Sequence, residues 1–121
     1  MVKRKKYEHK RRYSFSDFER PEAFIGVLYH KMNTESRRML VDAFGECAIC
    51  GSPENLCVDH DHESGFVRGV LCHSCNVMIG FSGDDPLRLN HAAKYLMSSE
   101  EKWERGHELY SQHLGDDWTK V

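Results

Sequence analysis

The sequence predicts an α+β fold in which a cysteine-stapled β-hairpin is flanked by helices. Two Cys-x-x-Cys pairs, Cys47/Cys50 and Cys72/Cys75, are separated by 21 residues. Short runs with β-branched or aromatic residues lie between the pairs, whereas runs with helical periodicity precede and follow them. The 121 residues fit one domain, whose hydrophobic core is marginal without a staple.

The four paired cysteines match the ligand set of a structural zinc ion. Zinc prefers four soft ligands in a tetrahedron, here supplied by two tight turns. No apolar segment follows the basic residues 3–12 as it would in a signal peptide, and no apolar run is long enough to cross a membrane. We therefore expect a reducing, cytoplasmic compartment, in which cysteines bind metal rather than form disulfides. The fifth cysteine, Cys57, is expected to be a small buried residue on a strand.

Charge is distributed unevenly along the chain. Residues 1–44 carry a net charge of +5, residues 45–83 carry −4 and residues 84–121 carry −3. A basic arm beside an acidic centre is typical of a nucleic-acid binder whose active site holds metal through carboxylates. For the arm taken alone, a solvated tail is an equal alternative. The residues expected to contact DNA phosphates are Lys3, Arg4, Lys5, Lys6, Lys10, Arg11 and Arg12.

Four segments follow from these patterns. They are a basic arm (1–13), an N-terminal helical segment (14–45), a zinc-bound core (46–97), and a C-terminal helix and tail (98–121). In the second segment, one helix is expected from Glu22 and another after Asn33, ending at Gly45. These two helices form either a core layer or a dimer surface.

Within the core, the segments Leu56–His60 and Phe66–Leu71 are expected to pair as a hairpin around the turn at residues 63–65. A helix should follow the second cysteine pair, beginning near Asn76. Asp85-Pro86 is typical of the start of a further helix, because aspartate caps free amides and proline fits the first turn.

Ser98 and Glu101 have capping-box spacing for a last helix. The helix that starts at Pro86 has an apolar stripe formed by Leu89, Ala92, Ala93 and Leu96. The last helix is lined by residues expected to pack as core, namely Trp103, His107, Tyr110 and Leu114.

A second group of reactive side chains lies between and just after the cysteine pairs. Asp59 and Asn76 offer a carboxylate and an amide oxygen, which suit a divalent ion such as Mg²⁺ or Mn²⁺. A neutral imidazole from His60 or His62 can take a proton from water near neutral pH. Alternation along an ideal strand sends Asp59 and His60 to opposite faces. Both reach one site only if the strand bends or bulges there.

These motifs resemble the recombination endonuclease VII family, which belongs to the HNH, ββα-metal or His-Me finger nucleases of phages and their bacterial hosts. The resemblance rests on Cys47-x-x-Cys50, on Val58-Asp-His-Asp-His62 and on Gly65-Phe-Val-Arg-Gly-Val-Leu-Cys-x-x-Cys-Asn76, and covers about residues 47–97. It implies a zinc-stapled ββα-metal core, hydrolysis of phosphodiester bonds in DNA, and a location in a bacterial or phage-infected cell.

Carried over position by position, the resemblance also implies individual roles. Asp59 and Asn76 would bind the catalytic metal, His60 would be the general base, and His62 would support the phosphate or the leaving group. The paired cysteines would bind zinc. The best-known member of the family has an acidic residue three positions after the asparagine, where this chain has Ile79. That difference removes one metal contact and bears on metal affinity.

Arg68 is the only Lys or Arg between residues 39 and 87. An isolated cation in an acidic metal region suggests a clamp on a substrate phosphate, because the guanidinium fork matches phosphate oxygens. The alternative is a salt bridge to Asp61 or Glu63. The sequence favours neither over the other.

The sequence thus favours a metal-dependent DNA endonuclease, acting on branched DNA or as a nicking enzyme. One alternative is a zinc-finger module that binds nucleic acid without cleaving it. Another is a protein-interaction domain of the RING or ribbon type, which predicts eight ligands or an apolar docking face. Asp59-His60 with Asn76 favours the enzyme, because a pure binder does not require them. Resolving a DNA junction would need two active sites and hence a homodimer, and no membrane partner is expected.

Deleting residues 1–13 should weaken DNA binding and flatten its salt dependence. Residues 3–12 hold seven Lys or Arg and one Glu, and each phosphate neutralised contributes roughly 0.9 to the slope of log affinity against log salt. Anisotropy titrations at several salt concentrations measure this slope, with zinc content as the control. An unchanged affinity and slope would make the arm a solvated tail.

Overall fold

The computed structural model describes residues 13–115, and the chain divides after Gly80 into two compact units. Its helices and strands confirm the α+β class. The strands are β1 (Leu56–His60) and β2 (Val67–Cys72). The helices are α1 (Thr34–Phe44), α2 (His73–Phe81), α3 (Pro86–Met97) and α4 (Ser99–His113). Three short 3₁₀ helices precede α1, at Phe15–Glu19, Pro21–Phe24 and Tyr29–Lys31. Lys3 to Arg12, the expected phosphate contacts, lie outside the described residues.

Helix α1 begins and ends where the sequence predicts. The Asn33 side chain accepts a hydrogen bond from the Ser36 amide at 2.8 Å, and Gly45 ends the helix with a left-handed φ of 73°. Leu40 is fully buried in the main core. The helix is therefore a core layer, packed with the buried side chains of Phe18, Phe24, Met32, Val67 and Val70.

The helix expected from Glu22 is wrong. After one 3₁₀ turn, Gly26 takes a φ of 90°, and the chain then runs beside the start of β2. The Gly26 amide donates to the Val67 carbonyl at 2.9 Å, and the Val67 amide donates to the Val27 carbonyl at 2.8 Å. These bonds to a partner far along the chain replace the internal bonds of a helix.

The predicted hairpin is confirmed, with β1 and β2 antiparallel. Asp59 pairs with Gly69, whereas the next residue, His60, pairs with Val67. Arg68 is therefore the extra residue of a β-bulge on β2, opposite the step from Asp59 to His60 at which an irregularity of β1 is expected. Turn residues close the hairpin, since the Asp61 amide donates to the Phe66 carbonyl at 2.9 Å.

The second unit contains α3 and α4. Asp85 caps α3 as predicted, accepting hydrogen bonds from the amides of Leu87 and Arg88 at 3.0 and 3.3 Å. The expected capping box at Ser98 is wrong, because the Ser98 hydroxyl donates backwards to the Tyr95 carbonyl at 3.0 Å. No described helix is long and apolar enough to cross a membrane.

The expectation of core packing along the last helix is also wrong. Trp103 is 62% exposed and Leu114 is 74% exposed, while His107 and Tyr110 are half-buried. Much of the apolar surface of this unit remains open to solvent, since two helices alone cannot enclose each other's apolar faces.

Candidate functional site

The paired cysteines form one cluster. Their sulfur atoms all lie within 4.8 Å of one another, and the sulfurs of Cys50 and Cys72 are 3.6 Å apart. Cys47 and Cys50 lie in a tight turn closed by the Gly51 amide, which donates to the Cys47 carbonyl at 2.9 Å. Cys72 ends β2, and Cys75 lies in the first turn of α2. Four sulfur ligands so close together suit a structural zinc ion.

Burial and local hydrogen bonds separate the pKa values of the thiols in this cluster. Burial raises the pKa of Cys47, but hydrogen bonds from the amides of Cys50, Cys72 and Ile49 together outweigh this effect. The net result is a pKa lowered to about 6. Hydrogen bonding with the Cys72 side chain, together with burial, raises the pKa of Cys75 to about 12. One thiol therefore ionises readily while a neighbour keeps its proton. A divalent cation would offset the repulsion among thiolates, because zinc ligands bind deprotonated.

Two neighbours of the cluster are not ligands. Cys57 is half-buried on β1, and its thiol donates to the Leu71 carbonyl with a separation of 3.5 Å, as fits a strand residue. Ile79 packs against the buried cluster of Cys47, Leu71, Cys72 and Cys75. The position at which a relative is acidic is therefore part of a small apolar core in this chain.

At the bulge, Arg68 forms a two-point ion pair with Asp59. Its Nε donates to Oδ2 at 2.8 Å and its Nη2 to Oδ1 at 3.1 Å. The Asp59 side chain is 10% exposed and that of Arg68 is 36% exposed. This described ion pair joins Arg68 to Asp59, a partner that the sequence did not suggest. The Asp61 carboxylate instead accepts from the Glu63 amide and the Ser64 hydroxyl, which lower its pKa.

His60 lies at the same bulge, between two other rings. Its imidazole stacks on Tyr29 with centroids 4.1 Å apart and planes inclined by 12°, and His62 meets it edge-on at 5.0 Å. Burial lowers the pKa of His60, and the nearby His62 lowers it further although Asp59 acts in the opposite direction. The imidazole is therefore neutral near neutral pH, as a proton acceptor must be.

The sequence motifs do not reveal two residues near His60. Tyr29 stacks on the His60 ring, and Arg37 contacts Tyr29. Arg37 donates to the Tyr29 hydroxyl at 3.0 Å, and its guanidinium carbon lies 4.4 Å from the centre of the Tyr29 ring. Gly26 was the available signal, because a glycine inside the expected helix weakens the case for it. With that segment extended, Tyr29 becomes a candidate neighbour of the hairpin.

Asn76 occupies the first turn of α2, directly after Cys75, and its side chain is half-buried. Its position depends on the cysteine cluster, whereas Asp59, His60 and Arg68 are brought together by the bulge. The predicted site residues therefore lie on two elements, the hairpin and the helix that follows it.

Comparison with known proteins identifies the family. Residues 22–98 match recombination endonuclease VII. The chain belongs to this family. The family is named for an endonuclease.

Two curated relatives come from phages. The Gene 59 protein of Mycobacterium phage D29 is 44% identical over a segment covering 43% of this chain and 34% of that protein. The Gene 59 protein of Mycobacterium phage L5 is 41% identical, covering 45% of this chain and 36% of that protein. The chain thus spans about a third of the length of these relatives. No solved structure matches it significantly.

We expect one zinc ion per chain, needed for folding, because small domains draw much of their stability from metal binding. Metal analysis of freshly purified protein should find zinc, and Cys72→Ser should lose both zinc and cooperative unfolding. Cys57→Ser, outside the cluster, should keep its zinc. A Cys72→Ser protein that folds normally would contradict this role.

Proposed function

We propose that this chain is a metal-dependent DNA endonuclease of the HNH type, with β1, β2 and α2 forming a ββα-metal core. The observation that carries the proposal is the β-bulge at Arg68, where Arg68 forms an ion pair with Asp59 and the neighbouring His60 lies edge-on to His62. Family membership supports a nuclease, and the course of β2 through Cys72 and Cys75 to Asn76 supports this arrangement.

Asp59 and Asn76 would hold the catalytic ion, Mg²⁺ or Mn²⁺. Their carboxylate and amide oxygens are the hard ligands that such ions prefer. Asp59 can bind an ion and Arg68 together, because a carboxylate has about four acceptor positions and the ion pair uses two of them. When bound, the ion would stabilise negative charge on the phosphate and the leaving 3′ oxygen.

The remaining residues would move protons and position the phosphate. His60 would take a proton from the attacking water, which its neutral imidazole permits. His62 is exposed beside it and would support the phosphate or the leaving group. Arg68 would orient Asp59 and, being partly exposed, contact a substrate phosphate through the same guanidinium.

DNA is the proposed substrate, held in part by the basic arm at residues 3–12. Branched DNA and nicking of duplexes are both consistent with the site. The direct experiment compares cleavage of supercoiled plasmid, linear duplex and a four-way junction, with and without Mg²⁺. Binding to all three without cleavage under any metal condition would instead support a non-catalytic zinc-finger module.

His60→Ala should nearly abolish cleavage, leaving a small residual rate, while DNA binding and folding persist. Loss of a general base costs about 10²–10⁴ in rate. In the unaltered enzyme, the rate should fall on acidification with a midpoint below pH 6.5, the ordinary pKa of histidine, because the His60 pKa is lowered.

Asn76→Ala should also cut slowly, but raised Mg²⁺ should partly restore its cleavage rate. His73→Ala, an exposed histidine in α2, is the control and should cut normally.

A His60→Ala rate above about half of the unaltered rate would refute the assignment of the base. Failure of Mg²⁺ to restore any activity to Asn76→Ala would argue against its role as a ligand.

We also propose that the chain acts as a homodimer, because cutting both strands of a junction needs two active sites. The second unit supplies support. Leu96 is 70% exposed, Met97 is 82% exposed and Trp103 is 62% exposed. Large apolar side chains left open together are typical of interaction surfaces.

Leu96→Glu should therefore dissociate the dimer, because burying the new carboxylate between two copies would be costly. Sedimentation velocity over a range of protein concentrations measures the change. Arg88→Glu is the control for added negative charge, because Arg88 also lies on α3 but is already a polar, exposed residue. A chain that sediments as a monomer before any substitution would exclude this proposal.

A further inference from the structure

Tyr29 and Arg37 form a clamp against His60 that none of the sequence motifs predicts. The rings of Tyr29 and His60 are nearly parallel, 12° apart in plane and 4.1 Å between centroids. Such close overlap restricts rotation of the imidazole about its bond to the chain. His60 ends β1, so its backbone is already fixed by the hairpin and only the ring needs holding.

The backbone of Tyr29 is fixed to the same hairpin. Its amide donates to the Gly65 carbonyl at 2.9 Å, and its neighbour Leu28 forms an isolated bridge with Phe66. The backbone of Tyr29 is therefore fixed relative to the end of the hairpin that carries His60. A ring attached elsewhere could not keep this register with the imidazole.

The side chain of Tyr29 is held from its other face. The Arg37 guanidinium carbon lies 4.4 Å from the ring centre, and Nη1 donates to the tyrosine hydroxyl at 3.0 Å. Arg37 is itself anchored, since Nε and Nη2 both donate to the Met32 carbonyl at 3.1 and 2.9 Å. Met32 is fully buried, so the anchor is rigid. Three of the five donors of Arg37 are thus used to build the clamp.

We propose that Tyr29 is a positioning residue for His60 and that Arg37 completes the clamp; this inference rests on His60 being the general base. A base must aim one nitrogen at the attacking water, and a displacement of about 1 Å can cost about 10² in rate. The clamp selects one ring orientation before substrate binds, which lowers the cost of reaching the reactive geometry.

The competing explanation is that Tyr29 only fills space in the core, against which it is partly buried. Tyr13 offers a matched comparison. It is the same residue type and packs against the same core, but its ring contacts those of Phe18 and Phe24 rather than that of His60. Loss of packing alone should therefore affect both positions alike.

The experiment compares Tyr29→Leu, Tyr29→Phe and Tyr13→Leu by kcat, by KM for plasmid DNA, and by the NMR shifts of the His60 ring protons. Tyr29→Leu should lower kcat by about 10–100-fold with little change in KM. It should also remove the upfield shift of the His60 ring protons that the stacked Tyr29 ring causes. Tyr29→Phe loses the hydrogen bond from Arg37 but keeps the stacked ring between Arg37 and His60, so it should retain the shift and most of the rate. Tyr13→Leu should retain both.

Two further variants test the outer layer of the clamp. Arg37→Met should lower kcat, whereas Arg38→Met, an exposed neighbour on α1, should not. If Tyr29→Leu does not fold, Arg37→Met and the His60 shifts decide the question. In His60→Ala, adding Tyr29→Leu should cause no further loss of rate, because the two residues act as one unit.

Normal kcat for both Tyr29→Leu and Arg37→Met would overturn the inference. So would equal losses in Tyr29→Leu and Tyr13→Leu with the His60 shift unchanged. Failure of the proposed function would look different, because His60→Ala would then cut DNA at the unaltered rate whatever happens at Tyr29.

Discussion

The four-cysteine cluster is the constraint on which the rest of the site depends. It joins the turn before the hairpin, the end of β2 and the first turn of α2 within 4.8 Å. Asn76 directly follows a cluster cysteine, and Asp59 lies on the hairpin that the cluster closes. Without this connection, a two-stranded sheet would be only marginally stable, and Asp59 and Asn76, the proposed ligands, would have no fixed relation.

The β-bulge is the second constraint, and it gives the site its chemistry. Arg68 is the extra residue on β2, opposite the step from Asp59 to His60. The irregularity brings the Arg68 guanidinium to the Asp59 carboxylate, at the end of the hairpin where β1 stops at His60. Departures from ideal structure are common where function is located.

The features that the sequence predicts correctly are those that depend on neighbouring residues in the chain. The caps of α1 and α3, at Asn33 and Asp85, depend on neighbouring amides, so the sequence predicts them directly. The segment containing Tyr29 depends on hydrogen bonds to residues 65 and 67, which a local pattern cannot reveal. For the same reason the partner of Arg68 was missed, because it follows from strand register. The apolar residues of α3 and α4 suggested a core, but helical periodicity cannot tell a buried face from an interface.

Anomalous diffraction from one crystal grown with Mn²⁺ tests the central claim most directly. Data at the zinc and manganese edges separate the two metals without reliance on activity. We expect a zinc peak among the four cysteine sulfurs and a manganese peak bonded to Asp59 and Asn76, with His60 close enough to reach a metal-bound water. A manganese peak elsewhere, or zinc absent from the cysteines, would contradict it.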